Sequence, residues 1–205
     1  MRTTTHQQSP AGLRTNPRKR SRQGQFRIIG GEWRGRILKF PAEPQIRPSP
    51  QRIRETVFNW LQPVIEGAKC LDLFAGSGAL GLEALSRRAA YCLFVDRSAV
   101  VGKRLREHLS LLGAEQADVR CEDAFNLLGQ PHRTFDVVFL DPPFGRSWLP
   151  ELCTLLEKNG WLNEEARIYL EWKSGTDLAG LPENWELRRE RRAGQVAYGL
   201  AVRQA

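Results

Sequence analysis

Short apolar runs and helical spacings alternate along most of this 205-residue chain. From residue 69 onward, runs typical of buried strands are followed by segments whose apolar positions recur every three to four residues, as in amphipathic helices. The alternation indicates an α/β domain with a mostly parallel sheet, closed at its end by an antiparallel hairpin that turns at Ala193-Gly194. We predict strands at 70–74, 91–95, 118–121, 135–141, 167–172, 185–191 and 195–202, and helices at 79–88, 99–112, 124–128 and 148–156.

The pattern divides the chain into three parts. Residues 1–25 contain six basic residues, no acidic residue and many Thr, Gln, Ser and Pro residues, so we expect a disordered tail. This tail contacts RNA or is only a variable extension. Residues 26–62 predict a small extension of one β-hairpin and one helix, and residues 63–205 form the α/β domain.

Within the extension, two β-type runs flank Gly30-Gly31, which predicts a hairpin turn there. A helix is expected to start at Ser49-Pro50, with the proline in its first position. Arg52 and Arg54 are expected to face solvent on this helix. Its buried face is assigned to Ile53, Val57, Trp60 and Leu61.

Positive charge is concentrated in the same region. Residues 1–54 hold 13 basic and 2 acidic residues, a balance of +11, whereas the rest holds 18 basic and 21 acidic residues, a balance of −3. A local excess suits a phosphate-binding surface, although any single arginine could be only a solvated side chain. The residues expected to bind RNA phosphates are Arg27, Arg34, Arg36, Arg47 and Arg52.

The segment from Lys69 to Gly81, KCLDLFAGSGALG, predicts a strand, a tight glycine turn and the start of a helix. Its glycines also fit the G-x-G-x-x-G spacing of dinucleotide sites, with Asp96 twenty residues beyond Gly76. Asp72 precedes the turn, however, and a carboxylate there repels a pyrophosphate but suits the ammonium group of S-adenosylmethionine. We therefore favour the methyl donor over NAD or a ligand-free turn.

Two further carboxylates follow predicted strands. Asp96 is expected to accept hydrogen bonds from ribose hydroxyls, or only to cap the next helix. Asp123 is expected to accept from the adenine amino group, or to cap the helix that opens at Ala124. The complete set of expected cofactor-binding residues is Asp72, Phe74, Ala75, Gly76, Ser77, Gly78, Asp96, Asp123 and Ala124.

The apolar run Phe135 to Leu140 ends in Asp141-Pro142-Pro143-Phe144. Neither proline has an N–H group, so the chain must leave the sheet here, with the carbonyl groups free to accept hydrogen bonds. A carboxylate, a carbonyl and an aromatic ring together suit the amino group of a flat nucleobase. Asp141, Pro142 and Phe144 are therefore our candidate catalytic residues. The other interpretation is a turn that ends the strand and exposes a phenylalanine.

These motifs together resemble a known family. DLFAGSGALGLEALSR, DPPF, FRIIGGEWRGR, RETVFNWL and AGQVAY closely resemble the RsmD-type 16S rRNA (guanine-N2)-methyltransferases, from about residue 26 to the C-terminus. The resemblance implies a Rossmann-like class I methyltransferase fold. One departure is RPSPQR at 47–52, where relatives often have R-P-T-T-D-R, so a function that depends on that acidic residue is not expected to carry over to this chain.

The resemblance also implies the reaction and its substrate. The methyl group of S-adenosylmethionine would pass to N2 of one guanine, equivalent to position 966, in the 16S rRNA of the small subunit or its late precursor. Three other functions remain open at this point: a DNA adenine-N6 methyltransferase, a nicotinamide-dependent oxidoreductase and a non-catalytic ribosome-assembly factor.

Other side chains point to packing and location. Cys70, Cys92, Cys121 and Cys153 show no C-x-x-C spacing and are expected to be reduced core thiols, and no metal site is expected. No apolar run is long enough for a membrane span, and no signal-peptide core is present. We therefore expect a cytoplasmic monomer that contacts no membrane. Four tryptophans are expected in the core: Trp148, Trp161, Trp172 and Trp185.

Overall fold

The structure is a computed structural model that describes residues 24–40, 49–130, 133–143, 147–176, 178 and 180–204. The predicted tail up to residue 23, Arg47 and Phe144 lie outside the described residues. The elements in chain order are β1 (Gly24–Arg27), β2 (Ile37–Phe40), α1 (Gln51–Leu61), β3 (Lys69–Asp72), α2 (Ala79–Ser86), β4 (Tyr91–Val95), α3 (Ala99–Leu112), β5 (Ala117–Arg120), α4 (Ala124–Leu128), β6 (Phe135–Leu140), α5 (Leu149–Lys158), β7 (Leu162–Lys173), β8 (Trp185–Ala193) and β9 (Val196–Arg203).

Seven strands form one sheet in the order β5-β4-β3-β6-β7-β9-β8. Strands β3 to β7 pair in parallel, and β9 and β8 continue the sheet antiparallel. The chain moves from β3 to β4 on one side and returns to β6 on the other, so the strand order reverses between β3 and β6. Doubly wound sheets bind ligands at the carboxyl ends of the strands beside such a reversal. The predicted α/β fold of Rossmann type, with its antiparallel closing strands, is confirmed.

Helices cover both faces of this sheet. One face packs against α1, α2 and α3, and the other packs against α4 and α5. The aromatic ring of Phe58 in α1 lies 5.9 Å from that of Phe139 in the central strand β6, which anchors the extension to the sheet. Trp161, Trp172 and Trp185 are buried as predicted. Trp148 is partly buried and packs edge-on against Phe125 at 5.4 Å.

The N-terminal hairpin pairs β1 with β2, but its connection is not a tight turn at Gly30-Gly31. Instead, the segment 28–36 lies against the end of α2, where Glu83 accepts the N–H groups of Ile29 and Gly30 at 2.7 and 2.8 Å. Gly31 has φ +74°, and a Cβ there would meet the Ser86 carbonyl oxygen at 1.7 Å. The two glycines therefore permit close packing of backbone on helix, which a strand pattern does not reveal.

Helix α1 corrects the prediction for Arg54, which is buried together with Ile53, Val57 and Leu61. Its Nε donates to the Ser49 carbonyl at 3.2 Å, and one Nη donates to the Arg27 carbonyl at 3.1 Å. Helical spacing places position 54 on the apolar face of α1. The prediction put it in solvent because arginine side chains are charged and are usually exposed. Pro50 is the residue before the helix rather than its first residue.

Other corrections concern boundaries and one cysteine. Strand β7 starts five residues before the predicted Arg167, because the polar residues Asn163 to Glu165 occupy an irregularity in its pairing with β6. Helix α2 ends at Ser86 rather than Arg88. Cys121 is exposed because β5 ends at Arg120 at the border of the sheet, whereas the other three cysteines are buried. None of the helices in the described residues is long and apolar enough to cross a membrane.

Candidate functional site

The carboxyl ends of β3, β4 and β6 bring together three of the four predicted carboxylates, Asp72, Asp96 and Asp141. The charges of Asp72 and Asp96 contribute to the raised pKa of Asp141. Three carboxyl groups in one place form a site that becomes strongly negative as they ionise. Such a site favours a cationic ligand and disfavours a pyrophosphate.

The glycine turn connects β3 to α2 at this end of the sheet. Gly76 and Gly78 have positive φ values of 49° and 78°, and Gly78 stands directly before the helix. The first-turn N–H groups of α2 therefore point toward the site, because they have no partners within the helix. Phe74 is partly exposed, and its ring stacks on Trp148 at 6.2 Å. The stack gives the site an aromatic wall.

Asp72 is buried at the base of the turn, with 1% of its surface exposed. Its Oδ2 accepts the Gly81 N–H in the first turn of α2 at 2.9 Å. Burial raises the pKa of Asp72 to about 7, the Gly81 hydrogen bond opposes this shift, and the charge of Asp96 adds to it. Near pH 7 the Asp72 side chain is therefore partly protonated in the absence of a ligand. A positive charge placed next to it would favour its ionised form.

Asp96 follows β4 and is partly exposed. Its Oδ2 accepts the Gly76 N–H at 3.0 Å, and its Oδ1 accepts the Ser98 N–H at 2.8 Å. The first contact joins β4 to the glycine turn. The residue that caps α3 is Ser98, whose Oγ accepts the Val101 N–H, so Asp96 is not the cap of that helix. Carboxylate oxygens can accept more than one hydrogen bond each, which leaves capacity for ribose hydroxyls.

Asp123 caps α4, since its Oδ1 accepts the Phe125 N–H at 3.0 Å. The capping function that the sequence left open is therefore present. Ala124, the first residue of α4, is buried. Recognition of adenine by Asp123 and Ala124 stays a prediction.

Asp141 leaves β6 with one oxygen unsatisfied. The residue is partly exposed, but its Oδ1 is buried and has no hydrogen-bond partner among the described residues. Burial raises the pKa of Asp141 well above its usual range, and the charges of Glu171 and Asp72 raise it further. Pro142 is buried and Pro143 is exposed. A buried carboxylate oxygen without a donor is costly in a folded protein, and it indicates a position reserved for a ligand's donor.

Glu171 is a fourth carboxylate that the sequence reasoning missed. It lies on β7 beside Asp141, because Leu140 and Leu170 are paired in the sheet. It is buried, and it accepts hydrogen bonds from Ser49 Oγ at 2.7 Å and from the Tyr169 hydroxyl at 2.5 Å. Burial raises its pKa, and these two hydrogen bonds oppose the shift. A single acid within the apolar run 168–172 was the available signal.

The predicted RNA-binding arginines in the described residues lie in two places: Arg27, Arg34 and Arg36 share the N-terminal hairpin, where Arg27 Nη1 donates to the Gly35 carbonyl at 3.1 Å, and Arg52 lies on α1. Arg27, Arg34, Arg36 and Arg52 are all exposed. Arg36 donates to the Leu111 carbonyl near the end of α3 at 3.3 Å, and the loop that carries Arg34 lies against the end of α2. Both helices start at the carboxyl ends of the strands and run back, so they end at the opposite edge of the sheet. Arg34 and Arg36 lie at those helix ends and therefore lie toward the opposite end of the sheet from Asp141. Their contact with RNA stays a prediction.

Comparison with known proteins identifies the chain's relatives. The sequence matches the family described as "Conserved hypothetical protein 95" over residues 26–202. It is 51% identical over 185 residues to ribosomal RNA small subunit methyltransferase D of Escherichia coli (strain K12), which covers 90% of this chain and 93% of that protein. Identity to the protein of the same name from Haemophilus influenzae (strain ATCC 51907) is 43%, over 87% of this chain and 94% of the relative.

A solved structure agrees with these sequence matches. The putative methyltransferase yhhF from Escherichia coli superposes with a TM-score of 0.83 at 51% identity, over 89% of this chain and 99% of that one. The fold and the sequence therefore match the same relatives, and both matches extend over nearly the whole length of those proteins. The chain therefore belongs to the family of the ribosomal RNA small subunit methyltransferases D.

Proposed function

We propose that this protein transfers a methyl group from S-adenosylmethionine to the exocyclic N2 of one guanine in 16S rRNA, the equivalent of position 966. The observation that carries the proposal is the buried Oδ1 of Asp141, which has no hydrogen-bond partner in the described part of the chain and lies near the Asp72 carboxylate. The names of the relatives support ribosomal RNA of the small subunit as the substrate.

The residues of the turn fit S-adenosylmethionine, which supplies a methyl group on a cationic sulfonium. Asp72 would hold the ammonium of the methionine part, and Asp96 would hold the ribose hydroxyls. A dinucleotide fits less well, because Asp72 already accepts the Gly81 N–H at the start of α2, where a pyrophosphate would bind. Phe74, Ala75 and Ser77 line the same turn. The nicotinamide-dependent alternative is disfavoured for this reason.

Asp141 is proposed to accept one proton of the guanine amino group in a hydrogen bond, and the Pro142 carbonyl is proposed to accept the other. Both bonds would localise the nitrogen lone pair toward the methyl carbon for direct in-line attack. As the N–C bond forms, the S–C bond of the donor would break, and the surplus proton on N2 would pass to the Asp141 carboxylate. Positioning and fixed acceptors then supply the acceleration, without a covalent intermediate on the enzyme. Phe144, outside the described residues, is proposed to stack on the base. The guanine must be unpaired or flipped out to reach the site.

The ionised form of Asp141 is the stronger acceptor and carries no competing O–H donor, so its protonation matters. Because burial and neighbouring acids raise its pKa, activity should fall as the pH decreases through that raised value. The small protein is proposed to act on an assembled small subunit or late precursor, where the shape of the RNA supplies specificity.

Methyl transfer in vitro tests the proposal. Wild-type protein, labelled S-adenosylmethionine and small subunits that lack the modification should yield labelled N2-methylguanosine after digestion of the 16S rRNA. Asp141→Asn keeps the volume of the side chain but removes its charge, so turnover should fall about 10²–10³-fold, as for loss of one oriented catalytic group, while affinity for S-adenosylhomocysteine stays near normal.

Three outcomes would contradict this account. Labelled N6-methyladenosine instead of N2-methylguanosine would exclude the guanine assignment. Equal loss of cofactor affinity and turnover in Asp141→Asn would mean that Asp141 only maintains the shape of the site. A wild-type protein that transfers no label to any RNA would favour a non-catalytic assembly factor.

A further inference from the structure

A groove of about 540 Å³ lies between α1 and the β8–β9 hairpin. One wall is formed by α1, with Arg52, Asn59 and Trp60, and the other by the hairpin, with Arg191 and Arg192. Tyr198 on β9 also lines it. None of these residues belongs to the cofactor site described above.

Strand pairing connects this groove to Asp141. Leu140 pairs with Leu170, so Asp141 and Glu171 are neighbours; Glu171 pairs with Tyr198, and Tyr198 pairs with Arg191. Adjacent strands are about 4.8 Å apart, so Tyr198 lies about 10 Å from the strand that carries Asp141. A nucleic-acid strand whose target base enters the site can therefore reach the groove.

The charge of the groove suits phosphate groups. Its lining contains three arginines and no acidic residue. Arg52 and Arg191 form no ion pair within the described residues, and Arg192 lies 3.7 Å from Glu190 with both side chains largely exposed. Arginines on a border strand often only prevent association of sheets. Here, however, two arginines from different elements line one groove, and neither has an ion-pair partner in the part of the chain that the structure describes, which a solubility function does not require.

The groove also offers an aromatic platform. The indole ring of Trp60 stacks on the Tyr198 ring with centroids 5.7 Å apart and an interplanar angle of 27°. Tyr198 is buried, so the stack is held rigidly by the sheet, while Trp60 remains partly exposed in the groove. Basic side chains beside a fixed aromatic ring are the combination that binds single-stranded nucleic acid.

We infer that this groove binds a single-stranded RNA segment next to the target nucleotide. Arg52 and Arg191 contact its phosphates, and Trp60 stacks on one of its bases. The inference rests on the proposed function for the identity of the RNA. It assigns docking to the groove near Asp141, rather than to Arg34 and Arg36 at the other end of the sheet.

The test compares two double charge reversals. Arg52→Glu with Arg191→Glu changes the groove, and Lys69→Glu with Lys158→Glu changes exposed positions at the start of β3 and the end of α5, at the opposite end of the sheet. Both change the net charge equally. Affinity for small subunits is measured over a range of salt concentrations, and affinity for S-adenosylhomocysteine is measured by calorimetry.

The groove variant should bind subunits at least tenfold more weakly than the control. The slope of log affinity against log salt should decrease by about 1.4, since each phosphate contact on a single strand contributes about 0.7. Affinity for S-adenosylhomocysteine should stay unchanged in both variants. Equal affinities and slopes for the groove and control variants would overturn the inference, because only net charge would then matter.

Trp60 provides a second, independent readout. Trp60→Leu keeps apolar packing against the sheet but loses stacking, so subunit affinity should fall severalfold without a change in the salt slope. Trp60→Phe keeps an aromatic ring at this position and should retain most of the wild-type affinity for subunits. Unchanged affinity in Trp60→Leu would exclude the stacking contact. These are binding measurements, so they can fail while wild-type protein still makes N2-methylguanosine, and they can succeed if it does not.

Discussion

Asp72→Asn should make the ligand-free protein more stable and its cofactor binding weaker. The wild-type carboxylate is buried, and its pKa is raised from 3.8 to about 7, which disfavours the ionised form in the fold. A shift of one pKa unit corresponds to about 1.4 kcal/mol, so ionisation of Asp72 costs up to about 4 kcal/mol of folding stability. Asparagine still offers an oxygen to the Gly81 N–H, but this neutral hydrogen bond is weaker. The expected net gain is about 1–3 kcal/mol.

The dependence on pH gives the sign of this effect. Between pH 4 and 7 the unfolded chain has lost the Asp72 proton while the folded protein retains it, so wild-type stability decreases as the pH rises. Above about pH 7 both states are ionised and the contribution is constant. The difference in unfolding free energy between Asp72→Asn and wild type should therefore grow from pH 5 to 7 and then level off.

Urea denaturation at several pH values measures this difference, and calorimetry measures S-adenosylhomocysteine affinity. Loss of the ionic partner of the ammonium should weaken binding about tenfold to a hundredfold, the equivalent of roughly 1.5–3 kcal/mol. The exposed Glu115→Gln removes one negative charge elsewhere and should change neither property. A destabilised Asp72→Asn, or one with wild-type cofactor affinity, would refute the proposed function of Asp72.

Two further variants test other parts of the account. Glu171→Gln removes a neighbouring charge that raises the pKa of Asp141, so the acidic limb of the turnover–pH profile should move to lower pH; an unmoved profile would show that Glu171 does not act on Asp141. Gly31→Ala should lower the free energy of unfolding by more than about 2 kcal/mol, because left-handed backbone costs about 1–2 kcal/mol and the new Cβ would collide with the Ser86 carbonyl. Gly35→Ala, also at positive φ but with no atom near its Cβ, should lose only the conformational part, and equal losses would remove the packing argument.

The sequence predicted the elements of the sheet and most of the site because both depend on local patterns. Asp72, Asp96 and Asp141 each follow an apolar strand, and parallel strands bring such positions together whatever their distance along the chain. The α/β alternation similarly determined the order of helices and strands, although boundaries such as the start of β7 were missed.

Features that depend on contacts between distant segments could not be predicted. Arg54 can be buried because the carbonyl groups of Ser49 and Arg27 accept hydrogen bonds from its guanidinium group. Glu83 acts as an acceptor only because the loop 28–36 folds onto α2. Glu171 became part of the site only through its pairing beside Asp141. Charge counting likewise grouped Arg34 and Arg36 with Arg52, although the fold places them at different ends of the sheet.

A methylation map of ribosomal RNA from cells that lack this protein tests the central claim most directly. The account predicts that N2-methylation disappears at one guanine of 16S rRNA, the equivalent of position 966, while other methylated positions stay unchanged. Expression of wild-type protein should restore that methylation, and expression of Asp141→Asn should not. An unchanged map, or loss of a methyl group at a different base, would contradict the account.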